Sequence, residues 1–337
     1  MALDVPASSS DADRRFEEAA EERVADQSPM AAQAGGASAR VARRGTNTRI
    51  VTPTISVRKR LREIWLSREL LIYLVRTEIK VKYKNSVLGL VWSMIAPAMT
   101  LAIYFFVFSI LLDNKMPNFV IYLFAGLLLW NLFSLGVLTG TGVVVNNAGI
   151  VKKVSFPREI LALAAVGSAC VFFFFQAIVM VIFMVILRSP PDLLYLPLVV
   201  VALFAGVILA SGLAVLLSSV NVYLRDTQHL IEVILTAWFW ACPIVYSYQT
   251  VEAKLGPRHL TWVYLLNPMT PLVLAFQRCL YNKPSYVLNG SVIPVLPQHG
   301  YLWYAVLVFI VLFLAVGLFL IAIATFGRLE GNFAEEL

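Results

Sequence analysis

Carboxylates are scarce wherever this chain is apolar. Of its 20 Asp and Glu residues, eight precede residue 30 and three fall in the last eight, which leaves nine for everything between. An ion-coupled carrier needs carboxylates near mid-membrane and paired repeats. Only Glu232 comes near, close to a membrane end, and no repeat is evident. Histidine is as thin, with His229, His259 and His299 far apart, and Cys170, Cys242 and Cys279 have neither paired nor metal-like spacing. Those absences exclude a disulfide framework and a zinc or histidine metal centre. Also missing is G-x-x-x-x-G-K-[ST], so no nucleotide site is recognisable and energy for any work must come from elsewhere.

Charged residues make up 14% of the chain, against about one quarter in soluble domains. What fills the space is apolar: 59% of the residues are hydrophobic, the pattern of an all-α polytopic membrane protein. The formal charge of +7 sits mostly in short stretches flanking apolar runs, as topology requires and nucleic-acid binding does not.

Residues 1–50, rich in Ala, Ser, Asp, Glu and Arg, read as a disordered cytoplasmic tail without the apolar core of a signal peptide. In the region 57–84, Leu61, Ile64, Trp65, Ile72, Val75 and Ile79 fall on one helical stripe, interrupted by Arg68. A helix of this kind lies in the headgroup plane. Its Arg58, Lys59, Arg60, Arg62, Arg76, Lys80, Lys82 and Lys84 then face anionic lipid or a cytosolic partner, or simply fix topology.

Crossing a hydrocarbon core takes about 20 helical residues. Six runs are long enough, at 87–112, 119–145, 160–187, 193–220, 228–248 and 301–326. The run at 261–282 differs, because Asn267-Pro268 and Pro271 break it into pieces of roughly 7 and 10 residues. Two re-entrant half-helices are expected there, buried in protein or lining a cavity. Placing Arg58–Lys84, Lys152, Lys153, Arg158, Arg225 and Arg328 on one side leaves Lys115, Arg188 and the sparse charges of 249–300 on the other. The basic side is cytoplasmic, and six spans put both termini, including the tail at 327–337, inside.

That topology makes VKKVSFPREI (Val151–Ile160) a cytoplasmic loop. Asn146-Asn147 ends the second span, a short helix follows through Ile150–Val154, and Pro157 opens the third, where its missing N–H costs nothing. The product is a stiff basic stub that either fixes topology or receives a push from a soluble partner. A membrane-embedded glycan-processing enzyme is the alternative from another class, but its outer carboxylates, Asp113, Asp192 and Glu252, stand isolated.

Several stretches carry a family resemblance: LLIYLVRTEIKVKYKNSVLGLVWSMIAPAMTLAIYFFVF from Leu70, NNAGIVKKVSFPREIL ending at Leu161, VNVYLRDTQHLIE from Val220, WFWACPIVYS from Trp238 and LNPMTPLVLAFQRCLY from Leu266. In that order they resemble the membrane permease subunit of ABC-2-type polysaccharide exporters (O-antigen, teichoic acid, capsule or galactan) over about residues 60–337. Lys82-Tyr83 stands where the family usually has Arg-Tyr, and the acidic tail lies outside the pattern. The resemblance implies a homodimer in a bacterial plasma membrane with two copies of a separate ATP-binding subunit. ATP and magnesium belong to that partner, with no cofactor on this chain, no metal and no catalytic residue. The cargo would be a polyprenyl-diphosphate-linked glycan. It further implies a coupling helix at about 147–156, with Ile150, Val151, Lys152, Lys153, Val154, Phe156 and Pro157 at the ATPase, and a gate around Asn267, Pro268 and Pro271.

Beside that implication, the residues suggest a conduit of their own. Tyr104, Phe105 and Phe108 crowd the first span and Trp238, Phe239, Trp240 and Tyr246 the fifth, where aromatic faces can stack on sugars or merely pack. Arg76, Lys80, Lys82 and Lys84 are candidates to hold a lipid diphosphate. Arg225 and Asp226 read as a structural turn, pairing with each other or with Glu232, and Gln176 and Asn131 as interhelical hydrogen-bonding groups.

Overall fold

In the computed structural model, residues 57–337 are described apart from 85, 87, 112–115, 259, 284 and 289–290. The expected tail at 1–50, Asp113, Lys115 and His259 therefore lie outside the described residues.

Two amphipathic helices, α1 (Val57–Leu66) and α2 (Arg68–Lys82), replace the single one expected at 57–84. The break falls at Ser67, whose N–H is shared between the carbonyls of Glu63 and Ile64. The stripe is split accordingly: Leu61, Ile64, Val75 and Ile79 are half-buried while Trp65 and Ile72 are exposed. Helix α3 (Trp92–Phe105) contains Pro97 and runs on as a π-helical stretch at Phe106–Leu111. Next come α4 (Phe119–Asn146), the four-residue α5 (Ala148–Val151), α6 (Glu159–Ile186) and α7 (Leu196–Tyr223). Then follow α8 (Thr227–Trp240), α9 (Tyr248–Leu255), α10 (Thr261–Leu265) and α11 (Met269–Leu280). A small antiparallel hairpin, β1 (Ser285–Leu288) with β2 (Ser291–Pro294), pairs Tyr286 with Ile293 and interrupts an otherwise helical chain. Helix α12 (Tyr301–Leu329) and the short α13 (Phe333–Glu336) complete it.

Among the described residues, four helical segments are long and apolar enough to cross a membrane: Phe119–Asn146, Glu159–Ile186, Leu193–Tyr223 and Tyr301–Asn332. The expected span at 228–248 is shortened to α8, which at 14 residues reaches only about 21 Å at 1.5 Å per residue. Its end has a cause in Pro243, which has no N–H to continue the ladder; the turn at 241–246 gives way to α9, capped by the Ser247 hydroxyl accepting from the Thr250 N–H. Pro271 also needs correcting. It does not break the run, because it sits in the first turn of α11, where a missing N–H is harmless. The break is at Asn267-Pro268 alone.

Helix α4 is the centre of the bundle and is buried along most of its length between α6, α7 and α11. Close approach is built in with small residues. A Cβ on Gly140 of α4 would lie 2.5 Å from that of Ala214 on α7, and one on Gly212 would lie 3.2 Å from the α12 backbone at Phe319. Helix α7 is thus pressed against both neighbours, whereas α3 and α8 present large apolar side chains outward, among them Ile103, Phe106, Leu230, Val233 and Trp240.

Candidate functional site: a groove, its gate and a cytoplasmic loop

Helices α3, α4, α6 and α8 border a groove of about 580 Å³. Tyr104, Trp130 and Phe239 supply aromatic faces, and Asn131, Gln176, Glu232, Thr100, Ser134 and Thr236 supply polar edges. The two amides complete each other, with Asn131 Nδ2 donating to Gln176 Oε1 at 3.1 Å, so the expected interhelical bond forms and also lines the groove. Aromatic rings beside amides and hydroxyls match what a sugar presents: C–H faces for stacking and hydroxyls for hydrogen bonds.

The seven aromatic candidates divide. Tyr104 and Phe239 line the groove, and Trp238 supports it from behind, its ring centroid 5.2 Å from Phe133 and 6.4 Å from Trp130. Phe108 packs between Tyr104 and Phe119, Phe105 and Trp240 are exposed, and Tyr246 belongs to the turn above α8. Trp130 and Glu232 line the groove although neither was a candidate for it. Trp130 lies in a run apolar on all sides, so periodicity does not tell which face it takes.

The expected gate residues lie at the break between α10 and α11. Asn267 Oδ1 accepts from Trp238 Nε1 at 2.8 Å and from the Met269 N–H at 3.1 Å, while its Nδ2 donates to the Ala241 carbonyl at 3.1 Å. Tyr122 donates to the carbonyls of Pro243 (3.0 Å) and Tyr246 (2.9 Å), and Gln277 Nε2 donates to Pro243 at 2.8 Å. Those bonds satisfy carbonyls that the turn at 241–246 frees. The expected gate residue Asn267 and the expected channel residue Trp238 are therefore direct partners. Pro268 precedes α11 and Pro271 is buried within it.

On the opposite end, the loop after α4 is anchored and displayed at once. Val151 is buried, while Ile150, Lys152, Lys153 and Val154 are exposed and Phe156 and Pro157 half-buried. Val151 therefore holds the stub to the bundle and leaves its neighbours free to meet a partner. Arg225 and Asp226 stand exposed in the turn before α8, which is closed by Thr227 Oγ1 donating to the Leu224 carbonyl.

The four cationic candidates on the interfacial segment do not converge. All four are exposed, and of them Lys82 alone bends inward, its Nζ 4.2 Å from the Phe172 ring centroid, over a pocket of about 200 Å³ also lined by Glu78, Thr139 and Ser168. Burial pulls the Lys82 ammonium below its usual pKa against the opposing pull of Glu78. Burial likewise raises Glu78, opposed by a hydrogen bond from Ser168 and by Lys82.

An ionic group missed by the sequence reading ties this end together. Arg60 of α1 reaches Glu159, the first residue of α6, and Glu330 just past α12 at 2.8 Å. Arg158 adds Nε 3.6 Å from Glu330 Oε1 and an Nη1 bond of 3.1 Å to the Glu330 carbonyl. Burial lowers the Arg60 pKa, but the two carboxylates outweigh it and hold the guanidinium above its usual value.

Residues 69–281 match the family described as ABC-2 type transporter. An O-antigen export system permease protein RfbA of Klebsiella pneumoniae is 26% identical over 269 residues, covering 80% of this chain and 95% of that protein. The Myxococcus xanthus protein of the same name is 32% identical over 223 residues, 66% of this chain and 84% of its own length.

Proposed function

The chain belongs to the ABC-2 type transporter family, and on that premise we propose that it is the six-span membrane subunit of an ATP-driven exporter of a lipid-linked polysaccharide. In this reading α3 and α8 complete the six spans together with the four long helices, and both termini are cytoplasmic in a bacterial plasma membrane. Two copies of the chain assemble with two ATP-binding subunits, which carry ATP and magnesium. The cargo is a polyprenyl-diphosphate-linked glycan, O-antigen-like or a cell-wall galactan.

The groove carries this proposal: Tyr104, Trp130 and Phe239 beside Asn131, Gln176 and Glu232 form a lining suited to sugar rings and hydroxyls. Lys82, with Arg76, Lys80 and Lys84 nearby in sequence, attracts the diphosphate at the cytoplasmic mouth. Ile150, Lys152, Lys153, Val154 and Phe156 receive the ATP-binding subunit. Asn267, Pro268 and Pro271 sit where the outward path is closed.

The test is a pull-down of the tagged chain in mild detergent from its host, with ATP hydrolysis assayed in the eluate. A stoichiometric ATP-binding partner is expected, and Lys152→Glu with Lys153→Glu should remove that partner or stop export while membrane insertion stays normal. A chain that purifies alone and inert toward ATP would sink the proposal.

A further inference from the structure

Four charged residues at the cytoplasmic end bring together three segments that are remote in sequence. Arg60 comes from the interfacial helix, Arg158 and Glu159 from the exit of the displayed loop, and Glu330 from the turn after the last long helix. The Glu159 side chain is 1% exposed, so its charge is balanced from within the protein, by Arg60. One nitrogen, Arg60 Nη1, meets both carboxylates, while the rest of the planar guanidinium is seated elsewhere, as no lysine ammonium could be.

The space for that guanidinium is reserved. A Cβ on Gly327 would lie 2.6 Å from Arg60 Nε and 2.8 Å from Cζ, so the guanidinium lies flat against the bare backbone of α12. The turn beyond is seated as firmly. Tyr223 Oη donates to the Leu329 carbonyl at 2.8 Å, and Phe333 is fully buried against Tyr223 and Phe326, with Arg158 over its ring at 5.9 Å.

We propose that Arg60, Arg158, Glu159 and Glu330 form a clasp that makes the loop exit, α1 and the C-terminal turn move as one body, so that the C-terminal turn helps set how far a push on the loop travels. The proposal rests on the exporter reading, in which the loop receives that push. The clasp residues are positioning residues: they touch neither cargo nor nucleotide, and act by keeping α6 and α12 from yielding separately when the loop is driven. A body with fewer joints transmits displacement, whereas a loosened one absorbs it.

Two mild variants isolate the effect. Gly327→Ala changes no charge yet displaces the Arg60 guanidinium, and Arg60→Lys keeps the charge yet loses the planar group seated against Gly327. Each is expressed in a host lacking the wild-type gene, together with the native ATP-binding subunit. Membrane level, co-purified ATP-binding subunit, ATP hydrolysis of the purified complex and surface polysaccharide are all measured. The expected result is normal level and assembly, hydrolysis within about twofold of wild type, and surface polysaccharide reduced about tenfold, since an Arg-to-Lys change where the guanidinium plane is stacked is not conservative. Export equal to wild type in both variants would overturn the clasp. So would export that falls only in step with membrane level or assembly, which marks a folding or docking contact. A wild-type chain that brings down no ATP-binding subunit would instead overturn the exporter reading beneath it.

Discussion

Two clusters in this molecule hold the chain with different chemistry. Beside the displayed loop, Arg60, Arg158, Glu159 and Glu330 hold three segments with charged groups. At the break before α11, Tyr122, Trp238, Asn267 and Gln277 hold an irregular turn with neutral donors aimed mainly at backbone carbonyls. The difference follows from the surroundings. A carbonyl freed inside a bilayer needs one donor and no counter-ion, while four charges can be gathered where headgroups and water moderate their desolvation. Charge serves for joining mobile segments, neutral bonds for lining a dry break.

The contrast should break first at Glu159. Replacing it with Ala removes a buried partner and leaves Arg60 facing one carboxylate where it had two, a loss of about 3 kcal/mol, the low end for buried pairs because Glu330 still compensates the guanidinium. The expected outcome is a large drop in the unfolding temperature of the detergent-solubilised chain, read by thermal denaturation. Asn267→Ala comes next. It strands Trp238 Nε1, the Met269 N–H and the Ala241 carbonyl, and should cost about 2 kcal/mol at typical values for buried bonds left unmade. Because those partners are neutral, that loss should be insensitive to salt, and the loss at the buried Glu159 only weakly sensitive to it. The smallest effect is a pH slope at Glu78. Its carboxyl titrates higher in the folded chain than its ordinary 4.5, so its contribution is complete below 4.5 and fades as pH rises through the folded value. Comparing wild type with Glu78→Gln across that acid range should show stability falling more steeply with pH in the wild type than in the variant, and parallel curves would refute the assignment.

The sequence exposed some of this and concealed the rest for physical reasons. The loop at 150–157 was legible as an interruption of apolar runs by lysines, a proline and flanking asparagines, but its helix was misplaced: it is Ala148–Val151 and not Ile150–Val154, and the next begins at Glu159, two residues after Pro157. The break at Asn267-Pro268 was legible likewise. Pro271 misled because a proline's effect depends on its place in a helix, and position two turns from a break cannot be told from position within the first turn until the helix start is known. The shortening of 228–248 was hidden because hydropathy averages over Pro243, whereas the backbone does not. The clasp was invisible for another reason: Arg60 and Glu159 are 99 residues apart and Arg158 and Glu330 are 172 apart. Each alone reads as a topology charge. Trp130 was lost in a helix buried nearly all round, where no polar face marks which side is which.

The close fit of α7 against α4 and α12 has a further consequence. With Gly140 and Gly212 at the contacts, these helices touch almost backbone to backbone, and parting them by even a small step would open voids that no side chain can fill. Any widening of the groove then falls to its rim, to α3 and α8, whose outer faces no other described helix of this chain covers. For a polymer threading such a passage, the limit is girth: a thicker or branched chain asks more of two short helices, while a longer one asks nothing more of any of them.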